Sequence, residues 1–224
     1  MNENDYLPCI EQDPDSPAVA SVVWLHGLGA NGHDFAPVPP VLGLPPDLPV
    51  RFVFPHAPSI PVTLNMGFVM PAWYDIRSLG ERGHDADGIE HSAEQIRRLV
   101  ERERERGVEA HRIVLAGFSQ GGAMALHVGL RFPERLAGIM ALSCYLLLGD
   151  QLDAEASDVN RKTPIFQAHG VYDPMVELNY GMRSRTLLEE KGYDVAWHEY
   201  PMEHAVCPEE LADVGAWLRD VLRR

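Results

Sequence analysis

Within 224 residues, 46% hydrophobic and 23% charged, a single domain spanning residues 1–224 is expected, with a core that needs neither disulfides nor a metal. A formal net charge of −14 and a pI near 5.0 exclude nucleic acid as a partner and disfavour charge-driven binding to anionic membranes. The three cysteines, Cys9, Cys144 and Cys207, form no disulfide framework, and no stretch reads as a signal peptide or transmembrane helix; the expectation is a cytoplasmic protein without integral membrane association.

In chain order, strand-like and helix-like segments alternate. Residues 19–25 form a β-branched apolar run that ends near Gly27, and 50–54 form a second run closed by Pro55. Residues 56–85 break the pattern: long, irregular and rich in Pro, Gly, Met and aromatics, they are expected to lie over a functional site. Residues 87–106 carry Ile89, Ala93, Ile96, Leu99 and Val100 at helical spacing, with Asp87 as the expected N-cap and Gly107 beyond the C-terminus. The tail of this helix, ERERER, reads as a solvated face of alternating charge. Strands follow at 112–118, 138–142 and 164–168, and at 193–200, whose more alternating pattern suggests a sheet edge. Helices are expected at 123–130, 178–191 and 208–222. Such alternation implies an α/β fold, a mostly parallel sheet with helices on both faces.

The motif that carries chemistry is Gly117-Phe118-Ser119-Gln120-Gly121. G-x-S-x-G alone is weak, but here it follows the strand RIVLAGF and opens an apolar helical run. That is the setting of a nucleophile elbow, in which small neighbours let a serine sit on a tight strand-to-helix turn. No G-x-x-x-x-G-K-[ST] or G-x-G-x-x-G is present to make the turn a phosphate cradle.

A serine hydroxyl needs a base, and the base needs an acid to orient it; in this type of fold they follow in the order Ser, Asp or Glu, His. Of the later histidines, His127 lies within a helix and His198 within a strand, while His169 ends a strand. His204 occupies the loop PMEHAVCP after the last strand and is the expected base. Asp173, in HGVYDP after a strand end, is the expected acid, because Asp150, Asp153 and Asp158 belong to a polar insert and Asp194 to a turn. The glycine-rich turn LHGLGANG offers the Leu28 amide as one oxyanion donor, and the residue after the nucleophile, Gln120, offers the other. His26 in that turn reads as a structural hydrogen bonder. A metal hydrolase is the rival reading, because His198 and His204 bracket Glu199 and Glu203; there is no H-E-x-x-H, and Pro201 interrupts any helix that would present one. A non-catalytic binding module on the same fold is the other rival.

Five segments in register, LHGLGANGHDF, MPAWYDI, GFSQGGAMALH, HGVYDP and EHAVCPEE, make the chain resemble the bacterial carboxylesterase and acyl-protein thioesterase family of α/β-hydrolases, from about Val22 to Trp217. The resemblance implies an α/β-hydrolase fold with no large cap domain, a Ser119–Asp173–His204 triad and Leu28 and Gln120 as oxyanion donors. It further implies no metal or other cofactor, and hydrolysis of short- to medium-chain carboxylic esters through an acyl-enzyme, with acyl-protein thioesterase or lysophospholipase activity as the alternative. The partner would be a small-molecule ester or acyl thioester; several relatives form dimers, so a homodimer is among the states implied. The family's usual glycine before the histidine is Glu203 here, a change that would alter the loop if that glycine served a positive φ. Leu64, Met66, Phe68 and Trp73 in the long segment are read as acyl-chain contacts, with Tyr145 and Met175 on the opposite wall.

Overall fold

A computed structural model of the protein describes residues 6–77 and 84–224. Part of the segment 56–85 and the start of the acidic N-terminus lie outside the described residues. In chain order the elements are β1 (Cys9–Gln12), β2 (Ala20–Leu25), β3 (Val50–Pro55), β4 (Ser59–Val62), β5 (Phe68–Pro71), α1 (Ala86–Glu105), β6 (Ile113–Phe118) and α2 (Gln120–Arg131). They continue with β7 (Gly138–Leu142), the single turn α3 (Leu152–Glu155), β8 (Ile165–Gly170), α4 (Leu178–Glu190), β9 (Val195–Tyr200) and α5 (Pro208–Val221). Seven strands form one sheet in the order β1-β3-β2-β6-β7-β8-β9, parallel throughout except for the antiparallel β1–β3 pair.

The alternation of side chains along each strand divides the core into two layers. In β2, Val23 and Leu25 face α1, α2 and α4; Ala20, Val22 and Trp24 face α5 and the segment around Phe35 and Leu42. Both faces of the central strands are dry, which is why 19–25 and 112–118 read as unbroken apolar runs. α2 is buried from Gln120 through Leu130, whereas α1 shows the core one stripe: Ile89, Ala93, Ile96, Leu99 and Val100. Burying each large aliphatic side chain contributes roughly 1.5–3 kcal/mol.

Three expectations change, and one strand is additional. CIEQ, to which the sequence reading assigns no element, is β1, and it forms the edge of the sheet opposite β9. The segment 56–85 is not wholly irregular, since β4 and β5 pair as an antiparallel hairpin. The N-cap of α1 is Asp85, whose carboxylate accepts from the Gly88 N–H, not Asp87. ERERER is not wholly solvated: Glu103 is buried and accepts from Ser21 Oγ at 2.7 Å, Arg106 Nη1 at 2.9 Å and Arg51 Nη1 at 3.0 Å. One carboxylate thereby ties α1 to β2 and β3, and Glu11 of β1 joins through Arg102 and Arg106.

Removing that carboxylate strands the arginines around it. Glu103→Gln is expected to lower stability by about 2–3 kcal/mol, at or below the lower end of the range of about 3–5 kcal/mol for broken buried pairs, because the arginines are partly solvated. Urea midpoints would read this; an unchanged midpoint would mean that the cluster contributes nothing net.

Candidate active site

The parallel register brings the functional loops to one edge of the sheet. Leu25 pairs with Gly117, Phe118 with Leu142, and Gly170 with Tyr200, so the loops after β2, β6, β8 and β9 leave side by side. Ser119 makes the turn from β6 into α2 with φ 54° and ψ −121°, a conformation that costs a side-chain-bearing residue about 1–3 kcal/mol. The turn is held by the Ser119 N–H donating to Leu142 O at 2.8 Å and by the lack of side chains around it. A β-carbon on Gly117 would strike the Gly121 backbone, and one on Gly121 would strike the carbonyls of Leu25 and His26.

Ser119, His204 and Asp173, far apart in sequence, meet in a hydrogen-bonded line. His204 Nε2 lies 2.9 Å from Ser119 Oγ, and His204 Nδ1 lies 2.6 Å from Asp173 Oδ2. The carboxylate acceptor requires Nδ1 to carry the proton, leaving the Nε2 lone pair for the serine hydroxyl. Asp173 is buried, with Oδ1 held by the Met175 and Val176 amides at 2.8 and 2.9 Å. Phe118 packs on the His204 ring at 4.8 Å between centroids. Glu203 is exposed and is not among the residues with positive φ, so the loop holds the histidine without the family's usual glycine.

Both amides expected to face the reacting carbonyl are unspent. Gln120 opens α2, so its N–H has no intrahelical acceptor. Among the described residues no backbone carbonyl accepts from either Gln120 or Leu28 N–H. The helix N-terminus adds partial positive charge there.

The expected acyl contacts divide. Leu64, Met66 and Phe68 are exposed on the β4–β5 hairpin, Met66 at 87%, and Val69, which the sequence reading passed over, is exposed with them. The base of this hairpin meets the Leu28 turn, where Gly29 N–H donates to Pro71 O at 2.8 Å. Met175 is exposed next to Asp173. Tyr145 is nearly buried, with its hydroxyl 3.3 Å from that of Tyr74. Trp73 is a correction: at 1% exposure it has no face left for a ligand, because its main chain and its indole are both engaged inside the protein.

Four other histidines do structural work. His26 Nδ1–H donates to Gly27 O at 2.7 Å while Nε2 accepts from the Ala57 N–H at 3.0 Å, so the ring is neutral and its pKa is lowered, mainly by burial. His56 Nδ1 accepts from the Gly32 N–H, and burial lowers its pKa too. His169 donates through Nε2 to Val176 O at 2.7 Å, bracing the Asp173 turn, and burial again lowers its pKa. His198 stacks on Phe166 rather than turning toward His204. Among the described residues no group of three or more His, Cys, Asp or Glu is placed to hold a metal ion, and no helix is long and apolar enough to cross a membrane.

A strand–serine–helix elbow on a mostly parallel sheet, with no large cap among the described residues, defines a serine hydrolase of the α/β-hydrolase class. Residues 9–222 match the family model described as phospholipase/carboxylesterase. Acyl-protein thioesterase 1 of Gibberella zeae is 42% identical over 217 residues, covering 92% of both chains. Its namesake in Neurospora crassa is 43% identical over 220 residues, covering 92% of this chain and 90% of the relative. The crystal structure of Zea mays acyl-protein thioesterase 2 superposes with a TM-score of 0.86 at 30% identity, over 97% of this chain and all of the other. The chain belongs to the phospholipase/carboxylesterase family.

The neutral histidines set an acid limit on stability. His127, buried in α2 with no hydrogen-bond partner in the described structure for either ring nitrogen, has its pKa pushed down to about 3 from 6.5, chiefly by burial. Its folded value lies below its unfolded one. Stability is therefore complete above pH 6.5 and falls as pH drops toward 3, by about 2 kcal/mol between pH 6.5 and 5 from this residue alone. His127→Leu should flatten the loss of denaturant stability between those pH values by that amount; equal slopes in both proteins would refute the assignment.

Proposed function

We propose that this protein is an acyl-protein thioesterase-type serine hydrolase, in which Ser119 is the nucleophile, His204 the general base and then acid, and Asp173 the group that orients the imidazole. The observation that carries the reading is the continuous line from Ser119 Oγ through His204 to Asp173, at 2.9 and 2.6 Å. The thioester preference rests on the relatives named acyl-protein thioesterase 1, which match across more than nine-tenths of the chain. Three unpaired cysteines fit a reducing cytoplasm.

His204 Nε2 takes the proton as Ser119 Oγ attacks the acyl carbonyl carbon. The oxygen of the tetrahedral intermediate gathers negative charge between the Leu28 and Gln120 amides, and Asp173 steadies the imidazolium. The C–S bond then breaks, and the thiol leaves with the proton held by His204. Water, deprotonated by the same nitrogen, attacks the acyl-serine; the carboxylate product departs and the Oγ–H is restored. A cysteine thiol, with a pKa near 8.5, leaves far more readily than an alcohol and asks less of the general acid. Oxygen-ester hydrolysis by the same groups is the second reading, supported by the carboxylesterase description of the family model. The exposed apolar hairpin side chains and Met175 would take the acyl chain.

A fluorophosphonate probe should label Ser119, and Ser119→Ala should abolish labelling and lower kcat by about 10⁴-fold or more. With one acyl group presented as an S-acylated peptide and as a p-nitrophenyl ester, kcat/KM should be higher on the peptide. A maximum on the free ester would favour carboxylesterase action instead, and full activity in the Ser119→Ala protein would remove the triad assignment.

A further inference from the structure

The two oxyanion donors come from loops far apart in sequence, and the hole works only if their separation is fixed. Each peptide is oriented from its carbonyl end. Gly27 O accepts from His26 Nδ1–H at 2.7 Å and from Ala30 N–H at 3.2 Å. The peptide is planar and trans, so the Leu28 N–H points the opposite way. Ser119 O accepts from Ala123 N–H at 3.0 Å along α2, so the Gln120 N–H points out of the helix start.

What joins these two planes is Trp73. Its main-chain N–H donates to Gln120 Oε1 at 2.8 Å, and Gln120 Nε2 donates to Tyr74 O at 2.8 Å, so the Gln120 side chain clamps the Trp73–Tyr74 peptide region from both sides. Its indole Nε1–H donates to His26 O at 2.9 Å, and its ring lies 5.2 Å from the His26 imidazole. Ser92 Oγ of α1 donates to Trp73 O. All four side chains are buried, so water does not compete for these bonds.

We infer that Trp73 is a positioning residue that, through Gln120 and His26, holds the Leu28 and Gln120 amides at the separation a tetrahedral oxyanion requires. The inference rests on the proposed roles of Ser119 and the two amides. Gln120 then serves twice, its main chain facing the reacting oxygen and its side chain fixing the opposite donor through Trp73.

The test uses Trp73→Phe, which removes the indole N–H and keeps most of the ring, and Gln120→Met, which removes the side-chain amide and keeps the main-chain donor. Each should lower kcat by about 10- to 100-fold with KM within about two-fold, because a displaced donor weakens transition-state binding and leaves ground-state binding unchanged. The inhibition constant of an acyl trifluoromethyl ketone, which forms a tetrahedral adduct on serine, should rise in proportion to the loss in kcat/KM. The acid limb of the kcat/KM profile, set by the general base, should not move. The double variant should be little worse than either single one, since both cut the same link.

Unchanged kcat in folded variants, or losses that multiply in the double variant, would overturn the inference. Ser92→Ala, a smaller change at the Trp73 carbonyl, carries the same test if the larger variants do not fold: a lower kcat with a matching rise in the ketone inhibition constant supports the inference, and no change in either overturns it. Failure of the underlying reading would look different, since wild-type enzyme would then show no serine adduct with the ketone.

Discussion

Between Phe118 and Gln120 the backbone leaves a parallel strand and enters a helix within a single residue, and Ser119 adopts a positive φ to make the turn. Such a turn forces α2 back against the end of the neighbouring strand. The fit is close enough that Gly121 sits on the carbonyls of Leu25 and His26, with no room for a side chain. The same steric demand that raises Ser119 above the sheet therefore brings the end of β2, and with it the Leu28 turn, beside the serine. Ser119 and the Leu28 turn are neighbours because α2 starts directly against the end of β2, with no side chain between them.

Charge is managed in two ways around that turn. Where it is needed, it is buried and held: the Asp173 carboxylate takes two backbone amides and the His204 N–H, so most of its lone-pair capacity is satisfied by fixed donors. Elsewhere it is suppressed. His26 and His56 each accept a backbone N–H at a ring nitrogen, a bond that protonation at that nitrogen would abolish. The loops beside the serine are thus built from neutral imidazoles, buried at His26 and partly solvated at His56, while the histidine on the serine itself is partly solvated as well.

The layered fold was legible because buried parallel strands are continuous apolar runs and their helices keep a 3.6-residue stripe; the six strands read from 19–25 to 193–200 all stand, within a few residues. β1 was not legible: CIEQ makes its pairing through backbone hydrogen bonds to β3, which leave no periodic mark on four residues. Glu103 was misread because the ERERER pattern records charge, not direction, and only the tertiary placement of Ser21 and Arg51 draws that carboxylate inward. At the site, the chain order of a serine turn, an aspartate loop and a histidine loop pointed to the three residues that meet. Trp73 was misassigned for a different reason. An aromatic that closely follows Met66, Phe68 and Met70 in an irregular segment reads as a ligand contact, and nothing in its spacing reveals that the indole N–H has a carbonyl waiting for it on His26.

That misreading bears on where substrate selectivity lies. On the proposed mechanism, the groups that perform bond exchange are rigid and shared by ester and thioester alike, because both pass through a tetrahedral oxyanion on the same serine. Trp73, Gln120 and His26 are committed to internal bonds and do not read the leaving group. Discrimination then falls to surfaces that are still free. These are the hairpin with Leu64, Met66, Phe68 and Val69, and the loop with Met175, which stand exposed on segments anchored at their bases to the Leu28 turn and to Asp173. Apolar side chains of this kind reward acyl length by burial, at roughly 0.8 kcal/mol per methylene, and are insensitive to whether sulfur or oxygen leaves. On the proposed reading, a preference for thioesters would accordingly come from the intrinsic ease of expelling a thiolate and from whatever carries it, while a preference for chain length would come from the hairpin.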